Sequence, residues 1–145
     1  MAGSYRHESL RQELAGAQSV LTSAGVRCTV TPPRAPLPGP VEEGLSRAVR
    51  EAASNLLRHS AATRCDIVVE ARDDVVRLAV ANDGVGGLQL DRSGGSGLAS
   101  LALQLAPLGG MVDAGTRADG EFLLTVRIPI GRETGPEAML PARSG

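Results

Sequence analysis

Apolar residues recur along the chain in two rhythms, one helical and one extended. Leu10, Leu14, Ala17 and Leu21 follow one another at helical spacing, because residues three and four apart share a helix face. They predict a helix over 9–24, with Gly25 as its stop. Residues 26–31 alternate like a short strand, and the prolines at 32, 33, 36, 38 and 40 make the next stretch a stiff surface connection. Glu42 and Glu43 suit the first turn of a second helix running to about His59. Strands are expected at 65–71 and 75–81, joined through Arg72-Asp73-Asp74, with Val76, Leu78 and Val80 on one side. Residues 83–97 hold six glycines in fifteen positions, too many for regular structure, and predict a mobile loop. A third helix is expected from Gly97 to Leu108, stopped by Gly109-Gly110. A last hairpin, 111–115 and 121–130, turns at Asp119-Gly120. In it Phe122, Leu124, Val126 and Ile128 alternate with Glu121, Thr125 and Arg127, so one face should be buried.

This order predicts the α/β class, as a two-layer sandwich with a mixed sheet covered on one face by about three helices. The domain is expected over 9–131, with 1–8 a leader or linker and 132–145 a disordered tail.

Composition then removes several functions. With 145 residues and 42% hydrophobic content the chain can build one real core. Its net charge of −1 offers no electrostatic case for nucleic acid or an anionic membrane. No apolar run approaches the roughly 18 residues that span a bilayer, and no secretory signal is visible. All fifteen basic residues are Arg, so the Lys of a P-loop is missing. One Tyr, one Phe and no Trp leave no stacking platform for single-stranded nucleic acid. Cys28 and Cys65 stand far apart in no metal-like spacing and are expected to be reduced, buried thiols of a cytoplasmic protein.

On the second helix, Ala48, Ala52 and Leu56 form one side, and Glu51, Asn55, Arg58 and His59 stack along the next. Such a row is compatible with an ordinary solvated stripe or with a site. Two later stretches bear on it, NDGVG at 82–86 and GGSGLASLALQLAPLGG at 94–110. Together with REAASNLLRHS at 50–60, these resemble in type, order and spacing the N, G1 and G2 boxes of the GHKL ATPase superfamily, which has the Bergerat fold. The resemblance is closer to the ATP-binding catalytic domain of bacterial two-component sensor histidine kinases of the nitrate-sensor and DesK-like class. It covers about residues 40–131, and the lead-in from Ser4 to Val30 also looks like that class.

The resemblance implies ATP and Mg²⁺ as ligands. Asn55, at the N-box Asn, would give a carboxamide oxygen to Mg²⁺, which favours oxygen and keeps several waters. Glu51, at the N-box acid, would orient or deprotonate the attacking group or hold a metal-bound water. Arg58 and His59 would approach the phosphates or ribose; for His59 a helix C-terminal role is the alternative. Gly84 and Gly86 would let backbone pass close to adenine. The family's adenine-binding Asp is here Asn82, followed by Asp83; either Asn82 keeps an acceptor without charge, or Asp83 takes over, or adenine affinity is lost. Gly95, Ser96, Gly97 and Leu98 would cradle phosphate at a helix start, under a short lid at 87–96. Ser100 stands where a glycine is usual, and Ala102, Leu103 and Gln104 where charges are usual.

The same resemblance implies partners: a dimerisation domain bearing the phosphorylated histidine, in cis or in trans, and a response regulator. His7 followed by Glu8 superficially resembles such a histidine but lies too close to the N box for two long antiparallel helices, and is expected to be a linker residue. The chain is accordingly expected to be a monomeric catalytic domain without nucleic-acid or membrane contact. Its expected place is the cytoplasm, as a free protein or as the cytoplasmic part of a membrane-anchored sensor. It is expected to be inactive in autophosphorylation alone. The alternatives are a degenerate or stand-alone GHKL module that regulates a partner by binding, and a serine kinase of the anti-sigma-factor type.

Overall fold

The computed structural model describes residues 2–59, 61–84 and 95–131. Its elements run α1 (Ala2–Ser23), β1 (Arg27–Thr31), α2 (Gly39–His59), β2 (Arg64–Arg72), β3 (Val75–Asn82), α3 (Gly95–Leu105), a 3₁₀ turn (Ala106–Leu108), β4 (Met111–Thr116) and β5 (Phe122–Pro129). The expected elements therefore form, with adjusted ends. α1 begins before the apolar rhythm does, since no proline interrupts those residues. The predicted tail, 132–145, lies outside the described residues.

The five strands form one mixed sheet in the order β1-β2-β3-β5-β4. β1 and β2 are parallel, and every other pairing is antiparallel. The parallel pair needs a crossover, and the crossover is α2, preceded by the proline-rich stretch. The β2–β3 hairpin closes on Asp73 and Asp74, both with positive φ (52° and 65°), as a tight two-residue turn requires.

Cys65, Ile67, Val69, Val76, Leu78, Val80, Leu124, Val126 and Ile128 make the covered face of the sheet. Against it lie Leu10, Leu14 and Leu21 of α1, Leu45, Val49 and Leu56 of α2, and Leu101 and Leu105 of α3. The result is the expected two-layer sandwich with three helices on one side. α2 lies between its neighbours, in contact with α1 and α3, and Glu51 of its polar row faces the seam with α3.

One residue departs from the expected alternation. Thr125, predicted to face solvent, is only 6% exposed. β5 is an inner strand, and Ala79 and Asp113 flank Thr125 on its two neighbours, so adjacent side chains cover it. Among the described residues no helix is long and apolar enough to cross a membrane.

Candidate functional site

The polar row of α2 is not an ordinary solvated stripe. Asn55 is 5% exposed, and its Oδ1 is buried with no hydrogen-bond partner among the described residues. Leaving a buried amide oxygen unpaired costs about 1–3 kcal/mol, so such an atom calls for an explanation. Glu51, one turn earlier, is half-buried, and Arg58 is exposed. His59 ends the helix.

Glu51 reaches across the seam to α3. A Cβ added at Gly97 would overlap the Glu51 carboxylate, with the carboxyl carbon 2.8 Å away. Only glycine allows this approach. The carboxylate thus lies against the first turn of α3, where the helix macrodipole favours negative charge. Gly95 and Ser96 form that first turn with Gly97, and Leu98 packs against the core behind it. A cavity of about 210 Å³ opens here between Arg47, Arg50, Glu51, Gly97, Ser100, Leu101 and Gln104. Arg47 lies outside the three motif stretches, and Arg50 only opens the first of them. The available signal was spacing, since Arg47 precedes Glu51 by one turn on the same face. Arg50 bridges to Glu13 of α1 at 3.0 Å.

The NDGVG end of the site is built at the close of β3. Gly84 has φ of 69° and packs on the segment just past α2, where an added Cβ would meet the Ala61 carbonyl and come within 2.7 Å of the Ala62 nitrogen. The Ala61 amide donates to the Gly84 carbonyl at 3.1 Å. Gly84 is therefore required by local backbone contact, whatever it does for a ligand.

Asp83 has a structural task of its own. Its carboxylate accepts from the Thr63 hydroxyl at 2.6 Å and from the Thr63 and Arg64 amides at 2.8 and 2.9 Å. The hydroxyl first, and then the amides, hold its pKa down to about 2. Asn82 is 5% exposed, and its Nδ2 donates to the Asp83 carbonyl at 2.8 Å. A carboxylate there could not donate, so the amide suits this turn.

The site residues thus fall into two groups. Glu51 meets Gly97 at the seam between α2 and α3, and Asn82, Asp83 and Gly84 gather against residues 61–64 beyond the end of α2. Gly86 and residues 87–94 of the expected lid lie outside the described residues. No cluster of three or more His, Cys, Asp or Glu able to hold a metal exists among the described residues. A hard cation here would take Asn55 as its protein oxygen and complete its shell from phosphate and water, the usual habit of Mg²⁺. The orphaned Oδ1 fits that role.

No protein-family model matches the sequence, and no curated protein matches it. Solved structures do. Acinetobacter baumannii histidine kinase AdeS matches with a TM-score of 0.67 and 17% identity, over 86% of this chain and 64% of AdeS. The nucleotide-free catalytic domain of histidine kinase ThkA matches with a TM-score of 0.63 and 14% identity, over 85% of this chain and 92% of that domain. Full-length ShkA in complex with AMPPNP matches with a TM-score of 0.64 and 23% identity, over 85% of this chain and 29% of ShkA. The chain spans less than two-thirds of AdeS and of ShkA, and nearly all of the ThkA domain. With its five-stranded mixed sheet and three covering helices, this chain has the fold of the histidine kinase catalytic domain, a two-layer α/β sandwich.

Proposed function

We propose that the chain is an ATP·Mg²⁺-binding catalytic domain of a sensor histidine kinase, supplying the γ-phosphate for phosphorylation of a histidine on a dimerisation domain. The observation that carries this reading is the buried, unpartnered Oδ1 of Asn55 one turn from Glu51. The ShkA match, an AMPPNP complex on the same fold, supports a nucleotide as the ligand.

In this reading Asn55 would hold Mg²⁺ through its amide oxygen, and the bound ion would supply neutralisation of phosphate charge. Glu51 accepts the proton of the attacking imidazole or orients it. Gly97, by lacking a side chain, lets phosphate oxygens and the Glu51 carboxylate share the first turn of α3. Arg47 and Arg58 offer guanidinium donors to phosphate oxygens; the side chain of His59, expected near the ribose or phosphates, lies outside the described ones. At the other end Asn82 accepts the adenine amino proton through its amide oxygen. Asp83 does not take that part, because its carboxylate already holds three donors. The histidine-bearing domain is supplied in cis or in trans, a response regulator receives the phosphoryl group, and the domain works in the cytoplasm.

The test is titration of a fluorescent ATP analogue with Mg²⁺ into the purified chain and its Asn55→Ala and Asn82→Ala variants. Saturable binding that Asn55→Ala weakens at least about tenfold is expected, the worth of one charge-assisted contact. No saturable binding by the wild type up to millimolar nucleotide would sink the proposal. Unchanged affinity in Asn82→Ala would remove the adenine assignment alone.

A second reading is a GHKL module that regulates a partner by binding. Asn82 favours it, since its amide already serves the turn at Asp83 and lacks the charge of the family's acid. Phosphohistidine formation on a dimerisation domain added in trans separates the two: the kinase reading requires it, and the regulatory reading requires its absence.

A further inference from the structure

Cys28 and Cys65 take no part in the proposed kinase chemistry, yet the fold brings them together. They are directly opposite in the parallel register of β1 and β2, and both side chains point into the core. Cys65 is fully buried and Cys28 is 8% exposed. Both are free thiols in the same core cluster. Neighbouring strands run about 4.8 Å apart, within the roughly 4.4–6.8 Å Cα separation that disulfides use. The Gln18 amide donates to the Cys28 carbonyl at 2.9 Å, fixing β1 against α1 at this position.

We propose that Cys28 and Cys65 are an oxidisable pair that closes to an intramolecular disulfide, stapling β1 to β2 across the whole of α2. The segment between them contains Glu51 and Asn55, so the bond would close a long loop around the polar row. Such closure removes freedom chiefly from the unfolded chain, and more for longer loops.

The balance is simple with a peroxide as oxidant. The Cys28 sulfur, the more accessible of the two, attacks a peroxide oxygen; the O–O bond breaks, giving a sulfenic acid and hydroxide. The Cys65 sulfur displaces the sulfenic hydroxyl, forming S–S. Two thiols and one hydrogen peroxide give one disulfide and two waters. Burial pushes the Cys65 thiol up to about 12 and raises Cys28 as well, and the carboxylates of Asp66 and Asp83 add to the rise at Cys65. The reactive thiolate is therefore scarce at neutral pH, and closure is slow. The pair acts as a staple set by prolonged oxidation.

The experiment treats the whole reduced chain with hydrogen peroxide, then alkylates under denaturing conditions and maps the peptides. A Cys28–Cys65 cross-linked peptide is expected, reversed by dithiothreitol, with a melting temperature roughly 5–10 °C above the reduced protein. Cys28→Ser should abolish the cross-link and leave Cys65 alkylatable. Chains joined to one another, Cys28 carried on to sulfinic acid, or two intact thiols after oxidation prolonged far beyond the time that oxidises the urea-unfolded chain would overturn the proposal. So would an intramolecular bond that lowers the melting temperature. The mapping uses the wild type and does not depend on nucleotide binding.

Discussion

Replacing Asn55 by Leu, a side chain of similar size, separates what the fold wants from what the site wants. Its Oδ1 is buried and unpaired, a condition that costs the ligand-free protein about 1–3 kcal/mol. Leu removes that cost and adds apolar contact beside Leu56 and Ala52. It also removes whatever the amide nitrogen contributes, which for an ordinary hydrogen bond is about 1 kcal/mol. The expected net gain is about 1 kcal/mol, read as a melting temperature roughly 3–6 °C higher. The same change deletes the proposed metal ligand. A contact to a charged group is worth about 1.5–3 kcal/mol, so Mg²⁺-nucleotide affinity should fall by about ten- to a hundredfold. Scanning fluorimetry of the ligand-free protein and calorimetric titration of Mg²⁺·ADP read the two effects independently. A variant that melts lower and binds nucleotide as well as the wild type would refute the reasoning, because Asn55 would then be an ordinary structural residue.

Three further outcomes are expected. Gly97→Ala sets a methyl group on the Glu51 carboxylate; phosphorylation of an added dimerisation domain should fall at least about tenfold, while the melting temperature changes little, because a half-buried side chain can turn away. Gly84→Ala should cost roughly 1–2 kcal/mol for the left-handed backbone alone, and more for overlap with Ala61, seen as a lower urea midpoint. Asp83 titrates near 2 in the fold against an ordinary 3.8, so its contribution is complete above about pH 4 and is lost as pH falls toward 2. Asp83→Asn should melt below the wild type at neutral pH, with the gap narrowing between pH 4 and 2; a gap constant with pH would show that the carboxylate's charge plays no part.

Local periodicity determined a great deal about this protein. Leu10, Leu14, Ala17 and Leu21 announced α1, and Val76, Leu78 and Val80 announced β3, because a helix repeats every 3.6 residues and a strand every two. The polar row from Glu51 to His59 was likewise legible, since it needs only the pitch of one helix. What the sequence left open are properties of contacts between elements. The spacing could not say whether Asn55 is solvated; packing of α2 against its neighbours buries it and leaves its oxygen orphaned. Thr125 reads as a surface residue until β5 is set between β3 and β4. Asp83 reads as a spare acid beside Asn82 until the segment 61–64 is folded onto it. Arg47 and Arg50 acquire a role only when α3 closes a cavity against them. Cys28 and Cys65 look unrelated until α2 carries the chain from β1 back to a parallel neighbour and sets the register. A one-dimensional pattern specifies which face of an element is apolar, but the partner of each polar atom is chosen only when the faces meet.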